Sequence, residues 1–354
     1  MTGKIRVLVV DDSAFMRHVV CDILQSDPRM EVLGTARDGL QALEMVKALR
    51  PDVVTLDVEM PRMDGLQALQ RIMTECPTRV VMFSSLTQRH ARVTIRALSI
   101  GAVDFVPKPT SGLFSEMNGI RQELISKVVA SARSRLRTTA GLPVDIPPAV
   151  KKTRESVDAD TIVVMGSSTG GPSALQQVLR GLSGDLDAGV LLVQHMPPGF
   201  TRSLAERLNE ISPLDVHEAA GGETIVRGRA IMAPGGFHMT FEGDRRITLT
   251  TDPPRHGVRP AVDVTMEAAA SVFGSNCVGV VLTGMGFDGS KGCSAIKARG
   301  GRVVAEHEST CVVYGMPRAV VEMGYADTVV PISDVARAVE AEVASIRRRR
   351  CKAG

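Results

Sequence analysis

Five polar side chains stand at the ends of short apolar, β-branched runs: Asp11 and Asp12 after residues 7–10, Asp57 after 53–56, Ser84 after 80–83 and Lys108 after 103–106. If those runs are strands of one parallel sheet, all five leave its carboxyl edge, where open α/β sheets bind ligands. Three carboxylates gathered there repel one another unless a cation sits among them. A hard, oxygen-seeking ion such as Mg2+ suits the set Asp11, Asp12 and Asp57. Asp57 can then act as nucleophile toward a phosphoryl group, with Lys108 and Ser84 on the phosphoryl oxygens. Taken singly, an Asp after a strand reads as a helix cap, and a Ser there as a turn residue. Five at successive strand ends are hard to account for as caps.

A second set lies in the other half of the chain. An apolar run at 161–165 leads into GSSTGG (166–171) and then a helical stretch, so Ser168 satisfies the G-x-S-x-G spacing at a tight strand-to-helix turn. Small neighbours let the backbone turn sharply there, and free N–H groups at a helix start can stabilise a developing oxyanion. The run 189–193 ends in QHMPPGF, which puts His195 at a sheet edge as a candidate general base, and 277–282 ends in TGMGFDG, where Asp288 can orient the imidazole. His307, after the run 302–305, ranks second as base, and His256, in a loop, third. The order Ser, His, acid differs from the Ser, acid, His order of the common α/β-hydrolases, which disfavours that fold. GSSTGG also lacks the G-x-G-x-x-G and G-K-[ST] patterns of nucleotide loops.

These residues need elements to carry them. Helical spacing at 16–25 and 40–49 alternates with the first set of strands, and an amphipathic helix is expected over 115–136. Between residues 138 and 158 the chain turns rich in Pro, Gly and charge, which marks a linker. Alternation then resumes, with strands at 161–165, 189–193, 229–232, 277–282 and 302–305 and helices at 174–182, 201–209, 262–272 and 295–299. Tandem βα order implies right-handed crossovers and mainly parallel sheets in both halves. Residues 240–251, with Gly243-Asp244 at the middle, read as an inserted β-hairpin. A length of 354 residues fits two domains. With 44% apolar and 23% charged residues the chain is ordinary globular material, and it has no apolar run long enough to cross a bilayer and no signal-peptide pattern. Six scattered cysteines without a CxxC pair fit a reducing, cytoplasmic setting. A net charge of +3 gives no strong pull toward nucleic acid, and the arginines at 347–350 read as a solvated end.

The Asp-Asp pair, LDVEMPRMDG around Asp57, and Lys108-Pro109 resemble the response-regulator receiver domain over roughly residues 4–125. GSSTGG, QHMPPGFT and LTGMGFDG, together with APGGFHM, RPAVDVTM and CVVYGMPRA, resemble the chemotaxis methylesterase family over nearly the whole chain. The resemblance implies a flavodoxin-like receiver domain over 1–136, a linker over 137–158, and a methylesterase catalytic domain over 159–354. The last would be a doubly wound, mainly parallel α/β hydrolase with an inserted hairpin. It implies a catalytic triad of Ser168, His195 and Asp288, with backbone N–H groups of Thr169 or Met285 as oxyanion donors. It also places Phe105 at the aromatic switch position of receivers, without the hydroxyl of a tyrosine. The implied substrates are glutamyl methyl esters of chemoreceptors, with receptor glutamines as related substrates, and the implied phosphodonor is a histidine kinase acting at Asp57. In that scheme the receiver covers the active-site edge when unphosphorylated and releases it on phosphorylation.

Two rivals belong to other classes. Receivers often control DNA-binding outputs, but the second half keeps βα alternation and has no cluster of helices sized for a helix-turn-helix. A non-enzymatic adaptor binding receptors through the STGG face would show no serine-dependent turnover.

Overall fold

The run IRVLVV has β-branched residues at four of its six positions, with the last four residues fully buried, and it forms an interior strand of the first sheet. In the computed structural model, residues 3–108, 114–134, 157–243 and 245–353 are described, the side chains of 114–118 and 350–353 excepted. The chain divides into two units, Met1–Asp145 and Ile146–Gly354. The expected linker lies outside the described residues except for its end. Val157 accepts the Arg227 N–H at 2.9 Å and Asp158 bridges to Val226, so these two residues belong to the second unit. Pro109 and Asp244 also lie outside the described residues.

The first unit runs β1 (Ile5–Val10), α1 (Ala14–Gln25), β2 (Met30–Ala36), α2 (Gly39–Leu49), β3 (Val53–Asp57), α3 (Gly65–Glu75), β4 (Arg79–Ser84), α4 (Gln88–Ile100), β5 (Asp104–Pro107) and α5 (Phe114–Arg133). Its strands are parallel in the order β2-β1-β3-β4-β5, the flavodoxin-like order. The helices start where the sequence supplies an acceptor. Ser13, Asp38, Asp64 and Thr87 each take a first-turn N–H, and Asp64 with Gln67 completes a capping box. One face of the sheet buries Val7, Val9, Val53, Val81 and Phe83 against Leu24 of α1 and Leu124 and Val128 of α5.

The second unit runs β6 (Ile162–Ser167), α6 (Gly171–Gly181), β7 (Gly189–Gln194), α7 (Phe200–Ile211), β8 (Asp215–Glu218), β9 (Arg229–Met232), β10 (His238–Glu242), β11 (Arg246–Thr250), α8 (Val262–Phe273), β12 (Cys277–Val281), α9 (Ser290–Ala298), β13 (Arg302–Glu306), α10 (Met316–Glu322), β14 (Thr328–Val330) and α11 (Ile332–Ala353). Its seven-stranded sheet is parallel throughout, in the order β14-β13-β12-β6-β7-β9-β8. Ile162 and Val164 face Val262 and Met266 of α8 and Ile296 of α9, while strand alternation turns the buried Val163 and Met165 to the opposite face. The hairpin β10–β11 is antiparallel and adds Met239 and Ile247 to the α8 side of this core. The chain leaves β6 toward β7 and later returns to β6's other side with β12, so β7, β6 and β12 flank a topological switch point. Among the described residues no helix is long and apolar enough to cross a membrane.

Candidate functional site

At the carboxyl edge of the first sheet, the Lys108 ammonium lies 2.7 Å from Asp57 Oδ2 and 2.8 Å from Asp11 Oδ2. Asp11 Oδ2 is buried, and the Lys108 ammonium is its ion-pair partner among the described residues. Asp57 Oδ1 accepts the Val58 N–H at 2.7 Å, and Asp11 Oδ1 accepts that of Ser13 at 2.9 Å. Burial pushes the Asp57 carboxyl up to about 6 against the pull of Lys108. Burial works against the Lys108 charge too, but the carboxylates of Asp57 and Asp11 outweigh it and raise the ammonium's pKa. One oxygen each from Asp11, Asp12 and Asp57 lies within 4.8 Å of the others. That is near the roughly 3–4 Å between oxygens around an octahedral Mg2+ held at about 2.1 Å. Three carboxylates offering hard oxygen donors within that reach are the ligand type such an ion takes, so the residues fit Mg2+. Ser84 is fully buried, and its hydroxyl accepts from Thr94 of α4 at 2.8 Å, so contact with a phosphoryl group on Asp57 would require it to turn. Phe105 is buried as well, with the Lys127 ammonium 5.0 Å from its ring centroid.

In the second sheet, Ser167 of β6 and Gln194 of β7 are partners in register, so Ser168 and His195 leave adjacent strands side by side. β12 lies on β6's other side, and the loop after it returns Asp288 to the same edge, where its Oδ2 lies 2.8 Å from His195 Nε2. The Asp288 carboxylate is buried and accepts three backbone N–H groups, from Val262 at 2.7 Å and from Asp263 and Gly289 at 2.9 Å. Burial alone would raise this carboxyl, but the His195 bond and charge, with those amides, outweigh it and hold it below its ordinary value. Since Nε2 faces the acid, Nδ1 is the ring nitrogen with no hydrogen bond among the described residues. The half-buried Ser168 makes no side-chain hydrogen bond among the described residues. The sharp turn after it falls on Gly170, with φ 78°, where a Cβ would also lie 2.6 Å from Val312, so the left-handed conformation rests on a glycine and not on the serine.

The loop after β12 is pressed against this turn. Thr283 O accepts the Ser168 N–H at 3.0 Å, and the Thr283 hydroxyl donates to Thr169 O at 3.0 Å. A Cβ on Gly284 would stand 2.9 Å from Ser168 Cβ and 2.3 Å from Met316 Sδ, so only glycine permits the approach. Met285 follows directly. The backbone N–H groups of Thr169 and Met285 make no hydrogen bond among the described residues. His307 is exposed and bonded within its own loop, its Nδ1 2.8 Å from Ser309 Oγ, and His256 is bonded to Asp263, so His195 alone of the three candidate bases meets Asp288.

Residues 163–339 match the family described as CheB methylesterase, and residues 7–113 match the response regulator receiver domain. The protein-glutamate methylesterase/protein-glutamine glutaminase of Symbiobacterium thermophilum is 52% identical over 347 residues, covering 95% of this chain and 96% of that protein. The chain belongs to the CheB methylesterase family. A relative of the same name from Pyrococcus abyssi is 50% identical over 356 residues, covering 98% of this chain and 96% of its own. The crystal structure of the Thermotoga maritima CheB methylesterase catalytic domain matches with a TM-score of 0.50 at 44% identity, covering 52% of this chain and 99% of that one.

Within this methylesterase unit, five buried polar residues that were not among the sequence candidates hold the site. Ser167 donates to Gln194 Oε1 at 2.7 Å, and the Gln194 amide donates to Ser168 O at 2.9 Å and to His195 O at 3.3 Å, tying the two segments together. Thr283 does the same between Thr169 and Val313, whose N–H its hydroxyl accepts at 2.9 Å. Glu306 accepts the Thr283 N–H at 2.8 Å, and Asp263 accepts the Gly289 and Gly292 N–H groups at 2.9 and 2.8 Å. Gln194, Thr283 and Glu306 lie at carboxyl ends of strands, the signal that singled out His195 and could have found them too.

Proposed function

We propose that this chain is a cytoplasmic protein-glutamate methylesterase, acting on glutamyl methyl esters and on glutamines of chemoreceptors, and switched on when a histidine kinase phosphorylates Asp57. The observation that carries the reading is the 2.8 Å His195–Asp288 bond with Ser168 in the neighbouring register position. His195 Nδ1 takes the Ser168 proton as the hydroxyl oxygen attacks the ester carbonyl, and Asp288 keeps the other ring proton on Nε2. The Thr169 and Met285 N–H groups donate to the developing oxyanion. Collapse of the tetrahedral intermediate breaks the bond to methoxide, which leaves as methanol with the proton returned by His195. Water, deprotonated by the same nitrogen, then attacks the acyl carbonyl, and the bond to Ser168 breaks as His195 returns the proton to its oxygen, leaving a glutamate side chain on the receptor. With a glutamine side chain the leaving group is ammonia, and the carbonyl geometry is the same.

In the receiver unit, Asp11, Asp12 and Asp57 would hold Mg2+, which when bound neutralises charge on the incoming phosphoryl group. Asp57 supplies the attacking carboxylate oxygen, which is ionised above about pH 6. Lys108, already against it, would pair with the transferred group, and Ser84 would turn from Thr94 to meet it.

Methanol release from membranes carrying methylated chemoreceptors, with and without a small phosphodonor, tests the reading. Wild type is expected to be stimulated, and Asp57→Asn to work at one rate in both conditions. No release by either protein would sink the esterase reading, and persistent stimulation of Asp57→Asn would sink the regulatory one.

A further inference from the structure

Beside the His195–Asp288 pair stands a second one. His256 Nε2 lies 2.8 Å from Oδ2 of Asp263, a carboxylate with no exposed surface. The two pairs interlock. The Asp263 N–H donates to Asp288 Oδ1 at 2.9 Å, and the Gly289 N–H lies 2.9 Å from an oxygen of both carboxylates. Ligand atoms of His256, Asp263 and Asp288 fall within 4.8 Å of one another. Two buried carboxylates so close would ordinarily share a proton, because the low-dielectric interior does not tolerate both charges uncompensated. A protonated Asp288 could not hold the imidazolium that forms on His195.

We propose that His256 and Asp263 are positioning residues for the reaction: the His256 donor satisfies Asp263, so that Asp288 stays ionised and aimed at His195. This rests on the esterase reading above. The other charged and titratable groups around the pair support a compensating role for His256. Arg255 is 3.8 Å from Asp263 Oδ2, but its guanidinium is committed to Glu267 through bonds of 2.6 and 2.8 Å. Cys277 and Cys293 are buried thiols whose pKa values burial raises, that of Cys293 further by Asp263, so both stay neutral and neither adds a charge. His256 is also held where it would not rest by itself. It adopts φ 56° in a turn closed by reciprocal Arg255–Val258 backbone bonds of 3.1 and 3.0 Å. Its ring packs edge-on against Phe287, next to Asp288 in the loop, with centroids 4.7 Å apart.

Capping of α9 by Asp263 is a purely structural alternative, and the pH profile separates the two. Without a donor at position 256, the uncompensated Asp263 carboxylate favours a proton on the His195–Asp288 pair, which moves the acid limb of kcat/KM to higher pH. In the full-length protein with phosphodonor, His256→Ala is expected to lower kcat about tenfold with KM within twofold, and to shift that limb up by about half a unit or more. His256→Gln, whose amide can still donate, should restore both. Alanine with wild-type kcat and profile, or Gln no better than alanine, overturns the proposal. Should alanine unfold, Gln alone decides: a wild-type profile supports the pair and a displaced one overturns it. A Ser168→Ala control in the same assay identifies failure of the esterase reading itself, through retained turnover.

Discussion

Asp57 is 4% exposed, and desolvation pushes its carboxyl up to about 6 although Lys108 lies 2.7 Å away. A carboxyl raised in the folded state binds its proton more tightly than in the unfolded chain, where the value is about 3.9. The resulting stability is fully present below about pH 4 and is lost as pH rises through about 6, so the ionised group burdens the receiver unit at pH 7. Asp57→Asn should therefore stabilise that unit at pH 7 by about 1–3 kcal/mol, with the advantage fading as pH falls from 6 to 4. Urea unfolding at pH 4, 5 and 7 checks this, and an advantage that does not change with pH would contradict it. Single residues were legible where their chemistry is extreme. Asp11, Asp57, Lys108, His195 and Asp288 are charged or titratable groups at strand ends, while Gln194 and Thr283 act through ordinary amide and hydroxyl bonds that many buried residues make. The resting place of Ser84 on Thr94 depends on packing between β4 and α4, which no local pattern encodes.

Strands and helices were legible in proportion to their burial. The central strands β1, β3, β4, β6, β7, β12 and β13 read as apolar runs because both faces are covered. The strands that pattern alone did not mark, β2, β8 and β14, are all at sheet edges, with mixed burial and polar residues such as the DVHE of β8. α9 starts at Ser290, five residues before its expected start at 295, and so sets Asp288 at a helix N-terminus, where the first-turn amides reach acidic oxygens. The contact between the β6 and β12 ends offers a test at this scale. Thr283→Val removes the bond to Thr169 O and leaves the Val313 N–H without its acceptor. It should cost about 1–3 kcal/mol of stability in the second unit and lower kcat more than it raises KM. Thermal denaturation alongside steady-state kinetics measures both, and unchanged values would show that Thr283 does not hold the turn.

At the scale of the whole molecule, two α/β units each bring polar residues to a carboxyl edge, one a cluster of aspartates with a lysine and the other a serine, histidine and aspartate. The division was readable because Pro, Gly and charge interrupt the βα alternation between the two runs. The seven-strand order was not, since it depends on the return of β12 to the far side of β6, a long-range pairing that local patterns do not carry. The esterase chemistry proposed for the second unit stands or falls on Ser168 as the residue that attacks the ester. Purified full-length Ser168→Ala, assayed for methanol release from methylated receptors with phosphodonor present, addresses it directly. With Ser168 as nucleophile, kcat falls about 1,000-fold or more while the melting temperature stays unchanged. A folded variant releasing methanol at close to the wild-type rate would contradict it.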